Sequence, residues 1–439
     1  MSCRVGQTRN CCQIPFRSRK LGPMLGRRIF GLILFFWVAI HTAQSLMDLA
    51  DFLLVITAIF IAFREGEFRN LLTSVRIYFL WPVWIGALIL GFVFGAPVEA
   101  KVAAKNLWEF RWMFSFLCYV YLFKKVPWET SHISGFVKSL ILALLFVSVL
   151  DMALFFINYH LDPRAGGLFH HSMPFAHTMG PAALFLLFAG FRMAGPSSES
   201  RDRSSFIWRG IFALTPLLAM GLVILTMTRG VWLGCVVALL VGSLFMGVKF
   251  FAKTSFILIF SMLLLFIGSE KVQKRVLSQS YAASQSNNER LLYWESNFEI
   301  FKDYPLFGIG YSQNNVHVEE YLKKRGVDWL IGGHAHNQYL HFLAGTGILG
   351  LSCYLFFLFY LLKSGLVALF KMSKSSPQYC LLLGAWTGML CFCIGSLTES
   401  NFSIAKNRFV FLFLAAISVS IVARSGISNH KSKLFIDGP

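Results

Sequence analysis

Apolar residues run along this chain in blocks of about twenty, the length that crosses a bilayer as a helix, and polar positions gather between the blocks. The pattern predicts about twelve spans, near 29–47, 49–63, 77–96, 107–123, 136–158, 172–191, 210–227, 230–247, 255–268, 337–362, 379–397 and 406–423. Residues 211–248 are almost wholly apolar and would make about 57 Å of helix, at about 1.5 Å per residue. That is two crossings, so the chain must turn near the middle, at Thr228-Arg229-Gly230. One long polar stretch, 269–336, separates spans nine and ten. Inside it Leu291, Trp294, Phe298 and Phe301 recur at helical spacing between Glu289 and Tyr304. This predicts an amphipathic helix that lies on the membrane surface or covers a cavity.

The expected fold is therefore an all-α polytopic membrane protein. Residues 1–28 form a basic tail, 29–268 the first nine spans, 269–336 the long loop, 337–423 the last three spans and 424–439 a second tail. The basic N-terminal stretch runs into apolar 29–47 without a small-residue cleavage site, so it does not read as a secretory signal. Residues 1–23 read as a cytosolic tail or an over-long gene start.

Composition agrees. The 439 residues are 56% hydrophobic and 14% charged, with mean hydropathy +0.62, whereas soluble domains carry roughly 25% charged residues. The net charge of +19 would suit a nucleic-acid binder, but cytoplasmic loops of membrane proteins also collect Lys and Arg. No nucleic-acid motif is present and no such partner is expected. With the N-terminus in the cytosol, the inner segments hold 24 Lys and Arg. The short outer loops hold four, Lys101, Lys105, Arg164 and Arg229. An even number of spans returns the C-terminus to the cytosol and puts the long loop outside. The nine cysteines fall before the first span or within apolar runs, so neither a disulfide framework nor a thiolate metal site is expected.

Ionisable residues inside spans are costly and point to function. Here His41, Asp48, Asp51, Glu109, Arg111, Asp151, His177 and Glu399 all fall in the outer halves of their spans or just beyond. Arg164, His170, His171, Arg229, Arg290 and His336 lie in adjoining loops. That distribution predicts a polar cavity opening outward. Arg229 alone reads equally well as an arginine snorkelling to the interface. Three arginines converging there would suit a phosphate, which guanidinium matches in a bidentate way. His334 and His336 have a metal-ligand spacing, but no carboxylate or Cys cluster accompanies them in sequence, and no metal is expected. At the start of a span, His336 is better placed as a general base.

Several runs carry a family resemblance. His336-Asn337, followed after nine residues by Gly347-Ile-Leu-Gly350, resembles the His-Asn…Gly-x-x-Gly motif of the O-antigen ligase and polymerase superfamily. Arg290-Leu-Leu-Tyr-Trp294 with Asp303-Tyr-Pro-Leu-Phe-Gly-Ile-Gly310 is similar to its long-loop signature. Thr228-Arg229-Gly230 resembles its Thr-Arg-Gly turn, and Arg164-Ala-Gly-Gly with Pro174 and Ala176 matches an upstream element more weakly. The motifs span about residues 160–365.

The resemblance implies a glycosyltransferase of the cell inner membrane that uses no cofactor or metal. It would move an O-antigen glycan from undecaprenyl pyrophosphate to a sugar hydroxyl of lipid A–core, at the periplasmic face and with inversion. Arg164, Arg229, Arg290 and Asn337 would bind the substrate and His336 would take the acceptor's proton. The runner-up is an O-antigen polymerase, whose acceptor is another lipid-linked repeat. A twelve-span secondary transporter is the alternative of a different class, but transporters place charge near the midplane on related halves. Here charge crowds the outer edge and the halves do not resemble each other.

Overall fold

The computed structural model describes residues 23–97, 100–126, 130–160, 164–169, 171–191, 203–277, 281–330 and 333–425. Most of both expected tails lies outside these residues. Every regular element among the described residues is helical. The first seven helices are α1 (Pro23–Ile40), α2 (Gln44–Arg64), α3 (Phe68–Leu72), α4 (Leu80–Phe94), α5 (Ala100–Trp108), α6 (Trp112–Lys125) and α7 (Thr130–Asn158). The next five are α8 (Ser172–Gly190), α9 (Arg203–Leu225), α10 (Arg229–Met246), α11 (Val248–Gly268) and α12 (Glu270–Val276). The remainder are α13 (Tyr281–Asp303), α14 (Asn314–Lys324), α15 (Gln338–Lys371), α16 (Pro377–Gly395) and α17 (Ala405–Arg424).

Nine of these helices, α2, α7 to α11 and α15 to α17, are long and apolar enough to cross a membrane. The other three expected spans fall on α1, α4 and α6, which have 18, 15 and 14 residues. The first expected span, 29–47, stops at Ile40 because the chain turns at His41–Ala43, where Thr42 Oγ1 bonds back to the Val38 carbonyl. Hydropathy runs straight through that turn. Likewise the span expected from 107 begins at Trp112, after a 3-10 turn over Glu109–Arg111.

Burial ranks the helices. In α8, α16 and α17, 83%, 83% and 89% of the membrane-length window is covered by protein, while in α11 none is. The bundle is thus built on α8, α16 and α17, with α10 packed against α16 and α11 at the periphery. Glycines permit the close central approach: a Cβ on Gly384 would lie 2.3 Å from the Phe185 carbonyl oxygen, and one on Gly234 would lie 2.8 Å from that of Cys391.

The turn between α9 and α10 falls at Thr226–Thr228, with Met227 at φ +55°. The amphipathic helix of the long loop is also present, as α13, but it faces differently from expectation. Tyr293, Ser296, Asn297 and Ile300 are buried, while Leu291 and Phe298 are exposed. Asn297 is bonded locally, since Asn314 donates to its Oδ1 at 2.6 Å and sits 3.1 Å from His341 Nδ1.

The loop's glycine motif is a docking device. Gly347 has φ +62° and ψ −169°, which breaks α15. The turn segment 305–310 lies in the break. Ile309 N and Gly310 N donate to the Ala344 and Gly345 carbonyls, and Ile348 N donates to the Pro305 carbonyl. A Cβ on Gly308 would lie 2.3 Å from Thr346 N, and one on Gly347 would lie 2.3 Å from Leu306 O. Both positions therefore require glycine, on conformation and on space. The long loop is clamped to α15 through backbone bonds, and broken helices in membrane proteins need such partners.

Candidate functional site

The site lies where α10 and α15 begin and α16 ends, roofed by α13. Three devices hold these ends together. Gln338, in the first turn of α15, accepts from Phe402 N and Ser403 N at 2.8 and 3.1 Å, and its own N–H donates to the Ser396 carbonyl. Asn401 Nδ2 lies 3.2 Å from His177 Nδ1. Thr398 packs onto Gly230 so tightly that a Cβ there would lie 1.7 Å from Thr398 Oγ1. The glycine of Thr228-Arg229-Gly230 is thus demanded by the α16–α17 turn, which also carries Glu399.

Glu399 is the centre of the cluster. Its Oε1 lies 2.6 Å from His334 Nε2, and its Oε2 lies 3.1 Å from His336 Nδ1 and 3.9 Å from Arg290 Nη2. Burial by itself would raise the carboxyl. The hydrogen bonds from His334 and His336 act against burial and hold it well below the usual carboxylate range. His336 has φ +45°, a left-handed conformation uncommon for a non-glycine residue and often found at functional sites. With Nδ1 engaged by Glu399, the Nε2 of His336 is the nitrogen left to meet a substrate.

The three arginines meet the same end of the bundle. Arg164 Nε donates to the Thr226 carbonyl at 2.9 Å, beside the turn that starts α10, and Ala165 N bonds to the Leu225 carbonyl. Asp151 on α7 secures that loop, accepting from Leu168 N at 3.0 Å. Gly167, at φ +49°, has no room for a side chain against Asp151. Arg229 opens α10 and donates to Asn287 Oδ1 on α13 at 2.6 Å. Arg290, one turn further along α13, reaches Met173 Sδ at 3.6 Å as well as Glu399. Burial lowers the Arg290 guanidinium below its usual value, with Glu399 opposing and Arg229 adding to the effect.

The structure thus places Arg164, Arg229, Arg290 and His336 around one bundle end. Asn337 is there too, with its side-chain oxygen occupied: Oδ1 accepts from Tyr339 N and Leu340 N at 3.0 and 3.1 Å and caps α15. A short Asn is a preferred residue for that task. A carboxylate does accompany His334 and His336, namely Glu399, which stands 63–65 residues away in sequence. The three offer ligand atoms that all lie within 4.8 Å of one another. The signal for Glu399 was its place among acids at the outer ends of spans; its partners were not readable.

Compared with known families, residues 214–355 match O-Antigen ligase. The matched segment is about a third of the chain and holds Arg229, Arg290, His336 and Asn337, with Arg164 before it and Glu399 beyond it. The match bears out the resemblance to the O-antigen ligase and polymerase superfamily. No curated protein matches the chain.

Proposed function

From the O-antigen ligase segment and the cluster built on it, we propose that this protein transfers a glycan from undecaprenyl pyrophosphate to a sugar hydroxyl of lipid A–core. The reaction takes place at the periplasmic face of the inner membrane. The observation that carries the reading is the convergence of Arg164, Arg229 and Arg290 with a histidine whose second nitrogen is held by a buried carboxylate.

The chemistry needs little beyond these residues. His336 Nε2 takes the proton of the acceptor hydroxyl as its oxygen attacks the anomeric carbon. The bond from that carbon to the phosphate oxygen breaks, the configuration inverts, and the electron pair leaves on the lipid pyrophosphate. Guanidinium groups neutralise the departing charge, which is where fixed charge accelerates such a step most. Glu399 steadies the imidazolium that forms on His336, the part a carboxylate plays behind a catalytic histidine. The leaving group is already activated, so positioning, charge and one base suffice without metal. Asn337 would meet substrate through its side-chain nitrogen, its oxygen being used by the cap.

A polymerase would use the same donor but a lipid-linked repeat as acceptor. Deletion of the gene separates the two. Loss of a ligase leaves lipid A–core with no O-chain while full-length chains collect on the lipid carrier. A core bearing one single repeat would instead make the protein a polymerase.

A further inference from the structure

We propose that His334, His336 and Glu399 also bind a divalent transition ion such as zinc, and that the bound ion halts transfer by fixing the tautomer of His336. The inhibitory half rests on the function proposed above; the binding half does not.

Two imidazoles and a carboxylate are an ordinary zinc ligand set. Calcium and magnesium would require several oxygens, and this cluster offers one carboxylate. The three ligand atoms lie within 4.8 Å of one another. Around a tetrahedral ion with bonds of about 2.0–2.2 Å, ligand atoms stand roughly 3.3–3.6 Å apart. The present separations, 2.6 and 3.1 Å, are hydrogen-bond distances, so receiving an ion means opening them by about 1 Å or less. Access comes from His334, whose side chain is 43% exposed. Glu399 is buried, and its Oε1 also accepts from Ser400 N at 3.1 Å. Arg290, 3.9 Å from Glu399, repels a dication. That favours an ion held mainly by imidazole over one held by charge alone.

The consequence for His336 follows from its two nitrogens. With Glu399 accepting from Nδ1–H, the ring's lone pair is on Nε2 and can take a proton. An ion on Nδ1 claims that nitrogen's lone pair, so the ring proton must move to Nε2. The ring then has no lone pair left for the acceptor hydroxyl, and Glu399 is engaged by the ion. One ring cannot serve both purposes.

The test is a titration of full-length, tag-free protein in detergent with Co2+, with Cys3, Cys11 and Cys12 changed to Ser to remove competing thiols. The expected result is the visible absorption of low-coordinate cobalt, saturating at one ion per chain and abolished by added Zn2+. His334→Ala and Glu399→Gln should weaken it by more than the roughly 10- to 100-fold that loss of an outer-shell partner costs. His317→Ala, which removes another His near a carboxylate (3.5 Å from Glu320), should leave it unchanged. His334→Asn provides a second variant should the alanine protein misfold. No cobalt absorption in the parent, or undiminished absorption in a folded His334 variant, overturns the site. Because no glycan is present, that result is independent of the transferase reading. Zinc should then stop transfer by the parent protein and a chelator restore it. Cobalt binding at the triad with transfer indifferent to zinc would overturn the inhibitory half.

Discussion

Two clusters of charge lie at opposite ends of α17, about 30 Å apart for a helix of this length, and they are built differently. At the far end Arg424 donates to the Lys124 and Val126 carbonyls, beside a buried lysine. Lys125 Nζ lies 2.5 Å from Glu65 and 2.7 Å from Glu67, and Tyr121 donates to Glu67 at 3.1 Å. There Lys125 serves two carboxylates, and a hydroxyl completes the group. At the near end one carboxylate, Glu399, serves His334, His336 and Arg290, with Arg229 close enough to act on Arg290. The first cluster is closed and ties α2 to α6. The second has an excess of cationic and imidazole groups, which an arriving anion would relieve. The two ends differ in that balance of charge.

The largest effect should come from His336. If it is the base, His336→Ala should lose roughly 10²–10⁴ in rate, the usual contribution of positioned proton transfer, read as loss of O-chain on lipopolysaccharide at normal protein abundance. Next are the groups that hold charge. Arg229→Ala and Glu399→Gln each remove charge-assisted bonds of roughly 1.5–3 kcal/mol and should cut activity about 10- to 150-fold. Arg229→Lys should recover only part, because a point charge cannot reproduce the guanidinium fork. His334→Ala removes one support of Glu399, at about 0.5–1.5 kcal/mol, and should cost about 2- to 12-fold. Full activity in Arg229→Ala at normal abundance would return that arginine to a snorkelling role. At the closed end the expectation reverses. Lys125→Met leaves two carboxylates without their cation and should lower stability by about 3–5 kcal/mol, read as an earlier thermal transition in detergent. The protein that stays folded should transfer at the parent rate. A catalytic defect there would erase the distinction between the two ends.

Much of this was legible in the sequence, for a physical reason. A bilayer imposes a length on apolar runs, so the spans and the need for a turn near Thr228-Arg229-Gly230 stand out from hydropathy alone; the turn itself falls at Thr226–Thr228, with Arg229 and Gly230 already in α10. The turn at His41–Ala43 was missed because apolar residues continue on both sides of it. Chemistry was partly legible: Arg164, Arg229, Arg290 and His336 are conspicuous because charge at a membrane edge is costly. What joins them was not. Glu399 reaches the histidines through a turn fixed by Gln338, Asn401 and the space at Gly230, contacts that no spacing announces. Asn337 reads as a substrate ligand, and its side-chain oxygen is also a helix cap; Gly308 and Gly347 read as motif residues and serve as a clamp. The orientation rests on Lys and Arg counts. Alkaline phosphatase fused after residue 300 should be active and after residue 200 inactive, and the reverse pattern would move the site to the cytosolic face.

In the proposed reaction His336, held by Glu399, accepts the acceptor's proton. The most direct measurement is single-turnover transfer by purified protein with lipid-linked donor and lipid A–core acceptor, comparing the parent with His336→Gln. Glutamine keeps a polar group at the position but cannot act as a base near neutral pH. Donor binding should be unchanged, since the arginines are intact, and the rate lower by about 100-fold or more. Parent-like turnover in His336→Gln would contradict this and leave the proton to another route.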